Sequence, residues 1–356
     1  MAMTTKYVER PGGTEAVQET PPRPAIREHY IHIDDGRFDP YGDYYSEANE
    51  TREIIYQIVR NKPEHLLLYA HGGLNSVESS AARVGKWQPV FKENGIRDIH
   101  FLWETGLYEE IGDLLRSKLG FTERRAAGIN DWWDRMFERS TQSVGSALWK
   151  EMRSGAESAF LPSYAGDQCI AWLVEALKEL PEGTRPKLHL VGHSAGSIWL
   201  GHLLRQWQHY RGFPINNLVL FAPACTHEFF VSHIKPAISN AVVKELHHFL
   251  LDDETELGDN VSQIYRKSLL YLVSRSYQQK DRVVPLLGMA KHLADLPIGD
   301  VKDCIKTYII AERPDATAST THGGLDNDEA TMNSLLKLVL GREPARPFRL
   351  DDLQGY

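Results

Sequence analysis

The stretch KLHLVGHSAGSIWLGHLL (187–204) decides the fold, because a short apolar run in it passes directly into a pattern of helical period. Residues 187–193 are rich in Leu and Val, which is typical of a buried strand, and the apolar residues after them recur three and four positions apart. Between the two lies the string GHSAG (192–196), which has the form G-x-S-x-G. Such a string occurs by chance in many chains, but between a strand and a helix it predicts a tight turn that presents a serine.

Short apolar runs alternate with longer segments of helical period along most of the chain. The runs predicted as buried strands are 30–35, 65–72, 98–104, 187–194, 217–224, 268–276 and 304–312. The segments predicted as helices are 47–61, 76–95, 166–180, 195–210 and 327–340. Because this alternation places helices on both faces of a sheet, it predicts an α/β fold with a mostly parallel, doubly wound sheet.

Two stretches are too long for a simple crossover between strands. Residues 105–163 have a helical pattern that includes Trp132, Trp133 and Trp149, and we expect a helical insertion that caps one edge of the sheet. Residues 226–260 are a second candidate cap segment. The aromatic side chains of the first insertion either pack onto the body of the domain or line a hydrophobic acyl site.

The two ends of the chain differ from the middle in composition. Residues 1–26 are rich in Pro, Gly, Thr and Glu, which predicts a flexible N-terminal arm, and residues 342–356 form a C-terminal tail. Residues 27–341 are then one α/β domain with insertions, which this class of fold accommodates at such a length.

Composition excludes several classes of function. The chain has 40 basic and 48 acidic residues, a formal charge of -8 and no Lys/Arg-rich run, which argues against nucleic acid as a partner and favours a small-molecule substrate. No apolar run approaches the length of a membrane span, so we expect no integral membrane association and a cytoplasmic protein. The three scattered cysteines are too few for a disulfide framework or a zinc site.

Histidines are numerous, but their spacing does not indicate a metal site. The cluster weighed for this role is His227, His233, His247 and His248, near Glu228 and Asp252. It lacks the i, i+4 pair of histidines that a helical zinc site uses, so the sequence predicts neither a metal nor an organic cofactor.

Ser194 is the candidate nucleophile. A serine that projects from a strand-to-helix turn needs small neighbours two residues away on each side, and Gly192 and Gly196 meet that need. The first amides of the following helix are unsatisfied within it, which makes the Ala195 N–H a natural donor to an oxyanion. A helix N-cap is the alternative role for Ser194, but it does not explain the flanking glycines.

In these features the chain resembles the α/β-hydrolase family, in which a nucleophile, an acid and a histidine follow one another and a His-Gly oxyanion loop lies upstream. The resemblance covers about residues 27–340 and rests on four local matches in that order, of which the G-x-S-x-G string is the most specific. It implies the α/β-hydrolase fold and a covalent acyl-enzyme mechanism without a cofactor.

The resemblance also implies positions for the acid and the base. Asp281 follows the run predicted as the strand 268–276 and precedes Val-Val-Pro, as in the acid loop of the family; Asp252 and Asp253 are the alternatives. His322 lies between the last predicted strand and the last predicted helix, where the family has its base. Asp281 would then orient the imidazole and stabilise its protonated form.

The string HGGL occurs twice, at 71–74 and at 322–325. The first copy follows a predicted strand and corresponds to the oxyanion loop of the family, where the backbone N–H of Gly73 is the expected donor and that of Leu74 is the alternative. His71 is expected to brace this loop, whereas in the second copy the imidazole itself is the working group.

Two more residues are expected near the substrate. His193 is the variable residue of the G-x-S-x-G string and is expected to be structural, as in many family members. Glu104 ends the run 98–104, at the edge of the sheet where α/β folds bind ligands, and either contacts the substrate or anchors the insertion. With His71 and Leu74 they complete the candidate substrate-contacting residues.

The expected activity is hydrolysis of a carboxylic ester with a hydrophobic acyl group, through an acyl-enzyme on Ser194. An amidase, a peptidase or a thioesterase would use the same residues, because the pocket selects the leaving group. The alternative from another class is a binding module that keeps the fold without catalysis. The complete set of Ser194, Asp281 and His322 argues against it.

Overall fold

The centre of the protein is an eight-stranded sheet. The computed structural model describes residues 20–73, 75–104, 130–260, 265–279 and 282–354, with the backbone alone at 6–10, 13–17 and 130–137. The strands of the sheet are β3 Tyr30–Asp34, β4 Arg37–Phe38, β5 His65–Ala70, β6 Ile96–Trp103, β7 Lys187–His193, β8 Ile215–Phe221, β9 Val243–Leu250 and β10 Ile305–Ile309. Before them, β1 Lys6–Arg10 and β2 Gly13–Val17 form a separate antiparallel hairpin.

The order of the strands across the sheet is β10-β9-β8-β7-β5-β6-β3-β4. All neighbouring strands run parallel except β3 and β4, which pair antiparallel at one edge. Every residue of β5 is buried, as is typical of a parallel strand covered on both faces, whereas β10 at the other edge is partly exposed.

Helices cover both sides of the sheet. The α-helices are α1 Arg23–Ile26, α2 Ala48–Arg60, α3 Val77–Glu93, α4 Asn130–Ser158, α5 Ala165–Glu179, α6 Gly196–His209, α7 His227–Phe229, α8 Lys235–Ser239, α9 Asp253–Gly258, α10 Leu269–Leu272 and α11 Glu329–Leu340. Two π-helical turns, π1 Phe230–Ile234 and π2 Val273–Tyr277, follow α7 and α10. Turns of 3₁₀ helix lie at Ala290–Asp295, Gly299–Cys304, His322–Asn327 and Leu350–Asp352. The predicted α/β class with a mostly parallel sheet is confirmed.

The predicted strand at 268–276 is wrong, and the sequence does not predict strands β4 and β9 of the sheet. Residues 269–276 lie in α10 and π2, and π2 packs against α4. A short apolar run does not by itself distinguish a buried strand from a buried helical segment. Strand β9 lies inside the segment 226–260, the second candidate cap segment. Its sequence VKELHHFL has only a weak apolar signal because two buried positions are histidines.

A chain of buried polar side chains explains why histidine is accommodated there. His65 Nδ1 lies 3.2 Å from His189 Nε2, and the Asn217 amide nitrogen lies 3.0 Å from His189 Nδ1. The Asn217 amide oxygen lies 3.2 Å from His247 Nε2, and His247 Nδ1 lies 3.2 Å from the Tyr308 hydroxyl. This polar ladder crosses β5, β7, β8, β9 and β10, so polar groups on five strands satisfy one another.

The C-terminal tail is part of the core. Phe348 is buried and makes edge-to-face contacts with Trp87 and Phe91 of α3, at ring-centroid distances of 6.0 and 5.6 Å. Asn94, which follows α3, donates from its amide nitrogen to the carbonyl oxygen of Arg346 at 2.7 Å. Among the described residues, no helix combines the length and the apolar character that crossing a bilayer requires.

We predict that mild acid destabilises the protein, because burial lowers the pKa of five histidines from 6.5 to about 3. The five are His71, His189, His202, His248 and His322. An unfolded histidine binds a proton near its ordinary pKa, whereas these stay neutral in the folded protein. Between the two pKa values the unfolded chain binds more protons, so the free energy of unfolding decreases as the pH falls, by up to about 1.4 kcal/mol per pH unit for each histidine.

Carboxyl groups whose pKa is raised by burial act in the opposite direction, and Glu256 is the main example. Burial raises the pKa of Glu256 from 4.5 to about 8, so the stability it contributes is lost as the pH rises through that range. Five histidines outweigh it, and urea unfolding at about pH 7 and about pH 5.5 should show the lower stability in acid. A His209→Gln variant, which alters an exposed ring, should keep this dependence. Equal free energies of unfolding at the two pH values would contradict the prediction.

Candidate active site

Ser194 stands on a left-handed turn between β7 and α6. Its φ angle is +50°, a conformation that residues other than glycine rarely adopt. The Ser194 N–H donates to the carbonyl oxygen of Phe221 at 2.8 Å, and the Ser194 carbonyl oxygen accepts from the Ala224 N–H at 3.0 Å. Both partners lie at the end of β8, so the neighbouring strand holds the turn.

The positions on either side of this turn leave little room for a side chain, which favours glycine there. A β-carbon at Gly196 would lie 2.2 Å from the carbonyl oxygen of Ala70, which is closer than any real contact of this kind. A β-carbon at Gly192 would lie 2.8 Å from the Leu200 side chain. The G-x-S-x-G pattern therefore has a physical reason in this fold, because α6 begins directly against the end of β5.

The structure brings Ser194 and His322 together, as the sequence predicts. The Ser194 Oγ lies 2.9 Å from Nε2 of His322, a hydrogen-bond distance. The two residues are only 4% and 6% exposed. Ser194 follows β7 and His322 begins the 3₁₀ turn that follows β10, so both lie at the carboxyl edge of the sheet.

The electrostatic setting keeps the His322 imidazole neutral. Burial lowers its pKa to about 3, and the nearby charge of His193 acts in the same direction. Because Nε2 faces the serine hydroxyl, a neutral ring can accept the hydroxyl proton. The pair therefore has the geometry and the protonation state of a nucleophile and its general base.

Asp259 is a carboxylate in contact with His322. Its Oδ2 accepts a hydrogen bond from the backbone N–H of His322 at 2.8 Å. Asp259 follows α9 in the connection after β9, and burial raises the pKa of its carboxyl group. In the part of the chain that the structure describes, Nδ1 of His322 is buried and has no hydrogen-bond partner. Sequence reasoning missed Asp259 because it missed β9.

The predicted acid, Asp281, lies outside the described residues. The residues before it form α10 and π2, so the strand on which its assignment depended is absent. The alternative acids are engaged elsewhere. Asp252 caps α9 by accepting from the Thr255 N–H at 2.8 Å, and Asp253 accepts from the Tyr271 hydroxyl at 2.6 Å.

His193 links His322 to a second buried carboxylate, Asp326. Nε2 of His193 lies 3.0 Å from the carbonyl oxygen of His322, and Nδ1 lies 3.3 Å from Oδ2 of Asp326. The Tyr69 hydroxyl donates to the same Asp326 oxygen at 2.6 Å, and an Arg83 nitrogen lies 3.7 Å away. Burial opposes ionisation of Asp326, but the charges of His193 and Arg83 outweigh it and lower its pKa. No local pattern in the sequence singled out Asp326.

The loop after β5 is held by its own histidine. Nδ1 of His71 donates to the carbonyl oxygen of Gly72 at 2.6 Å, and Nε2 accepts from the backbone N–H of Trp103 at 3.3 Å. The Trp103 indole N–H donates to the His71 carbonyl oxygen at 3.2 Å. These contacts are those of a brace, and burial lowers the pKa of His71 to about 3, which keeps it neutral.

The same loop lies against the candidate nucleophile. A β-carbon at Gly72 would lie 3.3 Å from the β-carbon of Ser194, so the backbone of this loop borders the serine. Gly73 is buried next to it, and Ala195 stands immediately before the first turn of α6. The assignment of their amides to an oxyanion hole stays a prediction, and Leu74 lies outside the described residues.

Glu104 contacts a different group of residues. Its Oε1 lies 3.0 Å from His32 Nε2, and His32 Nδ1 lies 3.3 Å from Oδ2 of Asp39. Within the described ranges these three residues are a group with the donor atoms for a metal ion. The two carboxylates face different nitrogens of one ring, however, which favours a polar network that ties the end of β6 to β3. The hydrogen bond from His32 lowers the pKa of Glu104.

Searches with the sequence found no matching family model and no curated protein of significant similarity. Similarity to a characterised protein therefore supplies no function here. Function is inferred instead from the residues that the fold brings together at the carboxyl edge of the sheet.

We predict opposite effects for two glycine-to-alanine changes. Gly196→Ala should lower the free energy of unfolding by about 1–3 kcal/mol, because its β-carbon meets the backbone of β5. Gly155→Ala is the control, since Gly155 lies within α4 with open space around it and alanine should stabilise this helix by about 1 kcal/mol. Urea unfolding of the two variants measures both. Equal stabilities would show that the turn relaxes around the added methyl group.

Proposed function

We propose that the protein is a serine hydrolase with the α/β-hydrolase fold, which cleaves carboxylic esters through Ser194 and His322. The observation that carries this proposal is the 2.9 Å contact between the Ser194 Oγ and His322 Nε2 at a left-handed strand-to-helix turn. A buried serine with this backbone geometry and a neutral imidazole at hydrogen-bond distance is the arrangement that activates a hydroxyl nucleophile.

The chain order of the candidate groups supports the same reading. The serine follows β7, Asp259 follows β9 and His322 follows β10, with the His-Gly loop upstream after β5. This is the order nucleophile, acid, histidine of the α/β-hydrolase family. The positions all fall at one edge of the sheet, where parallel strands present their ligands.

In the proposed reaction, the Ser194 hydroxyl transfers its proton to His322 Nε2 as Oγ attacks the ester carbonyl carbon. The carbonyl oxygen becomes negative and accepts hydrogen bonds from the backbone amides of Gly73 and Ala195. The carbon–oxygen bond to the alcohol then breaks, the alcohol takes the proton from His322, and the acyl group stays on Ser194. Water repeats the sequence and releases the carboxylic acid. Amides and thioesters could react through the same groups.

We assign the role of the acid to Asp259 in preference to Asp281. A base that accepts a proton at Nε2 needs an acceptor for its Nδ1–H, and His322 Nδ1 is buried without a partner among the described residues. Asp259 already contacts the backbone of His322, at 2.8 Å. It also follows β9, the strand immediately before the last one, which is where the family order requires the acid.

We predict that a fluorophosphonate probe labels the wild-type protein and fails to label Ser194→Ala. His322→Ala should lower the labelling rate by about a thousand-fold, because the serine then lacks its base. Ser232→Ala, which alters an exposed serine, is the matched control and should label normally. Labelling is read by mass spectrometry of the intact protein.

Absence of labelling in folded wild-type protein would overturn the proposal and favour a binding module without catalysis. Normal labelling of His322→Ala together with loss of labelling in His71→Ala would show that the base is wrongly assigned. A series of p-nitrophenyl esters of increasing chain length, with the matching anilides, would then define the acyl group and the bond that is cleaved.

We predict that Asp259→Asn lowers kcat for p-nitrophenyl butyrate by about a hundred- to ten-thousand-fold, because the imidazolium loses its carboxylate. Asp252→Asn keeps the shape of a residue that caps α9 and should change kcat by less than about three-fold. Thermal unfolding of each variant controls for loss of folded protein. A large loss of kcat in Asp281→Asn with a small one in Asp259→Asn would return the role to Asp281.

A further inference from the structure

A cavity of about 730 Å³ lies between α4, α6, π1 and π2. Its wall includes Trp149, Lys150, Arg153, His202, Arg205 and Phe229. A second cavity of about 420 Å³ shares Glu157, His202 and Arg205 with it, so the two are neighbouring parts of one cleft. None of the residues placed in the candidate active site lines this cleft.

The charge in the larger cavity is opposite to that of the whole chain. The chain carries a formal charge of -8, yet Lys150, Arg153 and Arg205 line this cavity with Glu157 as its one described carboxylate. In the described part of the chain, none of the three cations forms an ion pair within 4.0 Å. Arg153 donates to the Gln278 side-chain oxygen at 3.0 Å, and an Arg205 nitrogen lies 3.3 Å from His233 Nε2. Among the described residues, these three cations therefore have no carboxylate at ion-pair distance.

Two imidazoles at the cavity have a lowered pKa, to which burial and the positive charge both contribute. Burial lowers the pKa of His202 to about 3, and the charges of Arg205 and Arg153 act in the same direction. Burial and the charge of Arg205 also lower the pKa of His233. Both rings are neutral at neutral pH, so they offer hydrogen-bonding nitrogens beside the guanidinium groups.

The wall also has an apolar part, which includes an unsatisfied donor. Trp149, Ile198, Phe229 and Tyr277 line the cavity beside the cations. Trp149 is 2% exposed, and its Nε1–H has no hydrogen-bond partner among the described residues. A buried donor without a partner is costly, and a ligand atom in the cavity would satisfy it.

Close packing at two glycines builds this wall. A β-carbon at Gly201 of α6 would lie 2.3 Å from the Phe229 ring, and one at Gly145 of α4 would lie 2.1 Å from the Tyr277 ring. Phe229 directly precedes π1 and Tyr277 ends π2. Turns of π helix are rare and often occur at functional sites, and the two in the described residues both border this cavity.

We propose that the cavity binds a small amphiphilic anion, with a phosphate or carboxylate group held by Arg153, Arg205 and Lys150. Guanidinium groups bind both kinds of oxyanion with paired hydrogen bonds. The apolar part of the ligand lies against Trp149 and Phe229. This site is separate from the chemistry at Ser194, so it stands whether or not the protein is a hydrolase.

Calorimetric titration of the full chain tests the proposal, with octyl phosphate and octanoate as probes and inorganic phosphate as the head group alone. Ser194→Ala serves as the host protein, so that no turnover contributes heat. One of the two amphiphiles should bind more tightly than inorganic phosphate, and the preference between them identifies the head group. Binding should weaken as salt is added, because the contacts are ionic.

Arg153→Gln and Arg205→Gln should each raise the dissociation constant about ten-fold, since each removes a charge-assisted contact. Both side chains are exposed, so the variants should fold, and thermal unfolding checks this. Arg342→Gln is the matched control. Arg342 lies near Glu64, beside the amino end of β5, where its charge lowers the pKa of Glu64. This variant should leave binding unchanged. Absence of binding by both amphiphiles, or an equal loss in Arg342→Gln, would overturn the proposal.

Discussion

The rest of the site depends on the hydrogen bond from the Ser194 N–H to the Phe221 carbonyl oxygen, which at 2.8 Å fixes a left-handed residue at the end of β7. In this conformation the serine side chain leaves the strand at an angle that a regular β residue does not allow. The turn also brings Gly196 against the carbonyl oxygen of Ala70, where a side chain has no room. A single backbone geometry thus sets the direction of the nucleophile, the start of α6 and the close approach of α6 to the end of β5.

The base approaches this fixed serine from a distant part of the chain and is held through its backbone. The N–H of His322 donates to Asp259 at 2.8 Å, and its carbonyl oxygen lies 3.0 Å from Nε2 of His193. Asp326 lies on the other side of the His193 ring, at 3.3 Å, and is buried with it. With both peptide groups of His322 anchored by side chains of other elements, its imidazole has little freedom beyond rotation toward Ser194. His193, the residue before Ser194, therefore contributes to the site by orienting the base.

Patterns in the sequence predict correctly the parts of the molecule whose structure is determined by residues close together in the chain. The strand, turn and helix around Ser194 follow one another directly in the sequence. His322 likewise lies in the loop that follows β10. In β9, by contrast, His247 is buried because Asn217 and Tyr308 on adjacent strands bind its ring, and no pattern within β9 reveals those partners. The apolar run at 268–276 is instead predicted as a strand, and the assignment of Asp281 as the acid depends on that strand. The contact of Asp259 with His322 becomes visible only when the order of the strands in the sheet is known.

The two copies of the string HGGL show how tertiary partners, and not the string, decide the role of a histidine. In the first copy both ring nitrogens of His71 are used inside the fold, one by the Gly72 carbonyl oxygen and the other by the Trp103 N–H. A ring with both nitrogens engaged cannot take a proton from a substrate or a nucleophile without breaking a structural contact. In the second copy Nε2 of His322 faces the Ser194 hydroxyl, and Nδ1 has no partner among the described residues. Burial keeps both rings neutral, so the difference between a brace and a base lies in which atoms the neighbouring strands place beside them.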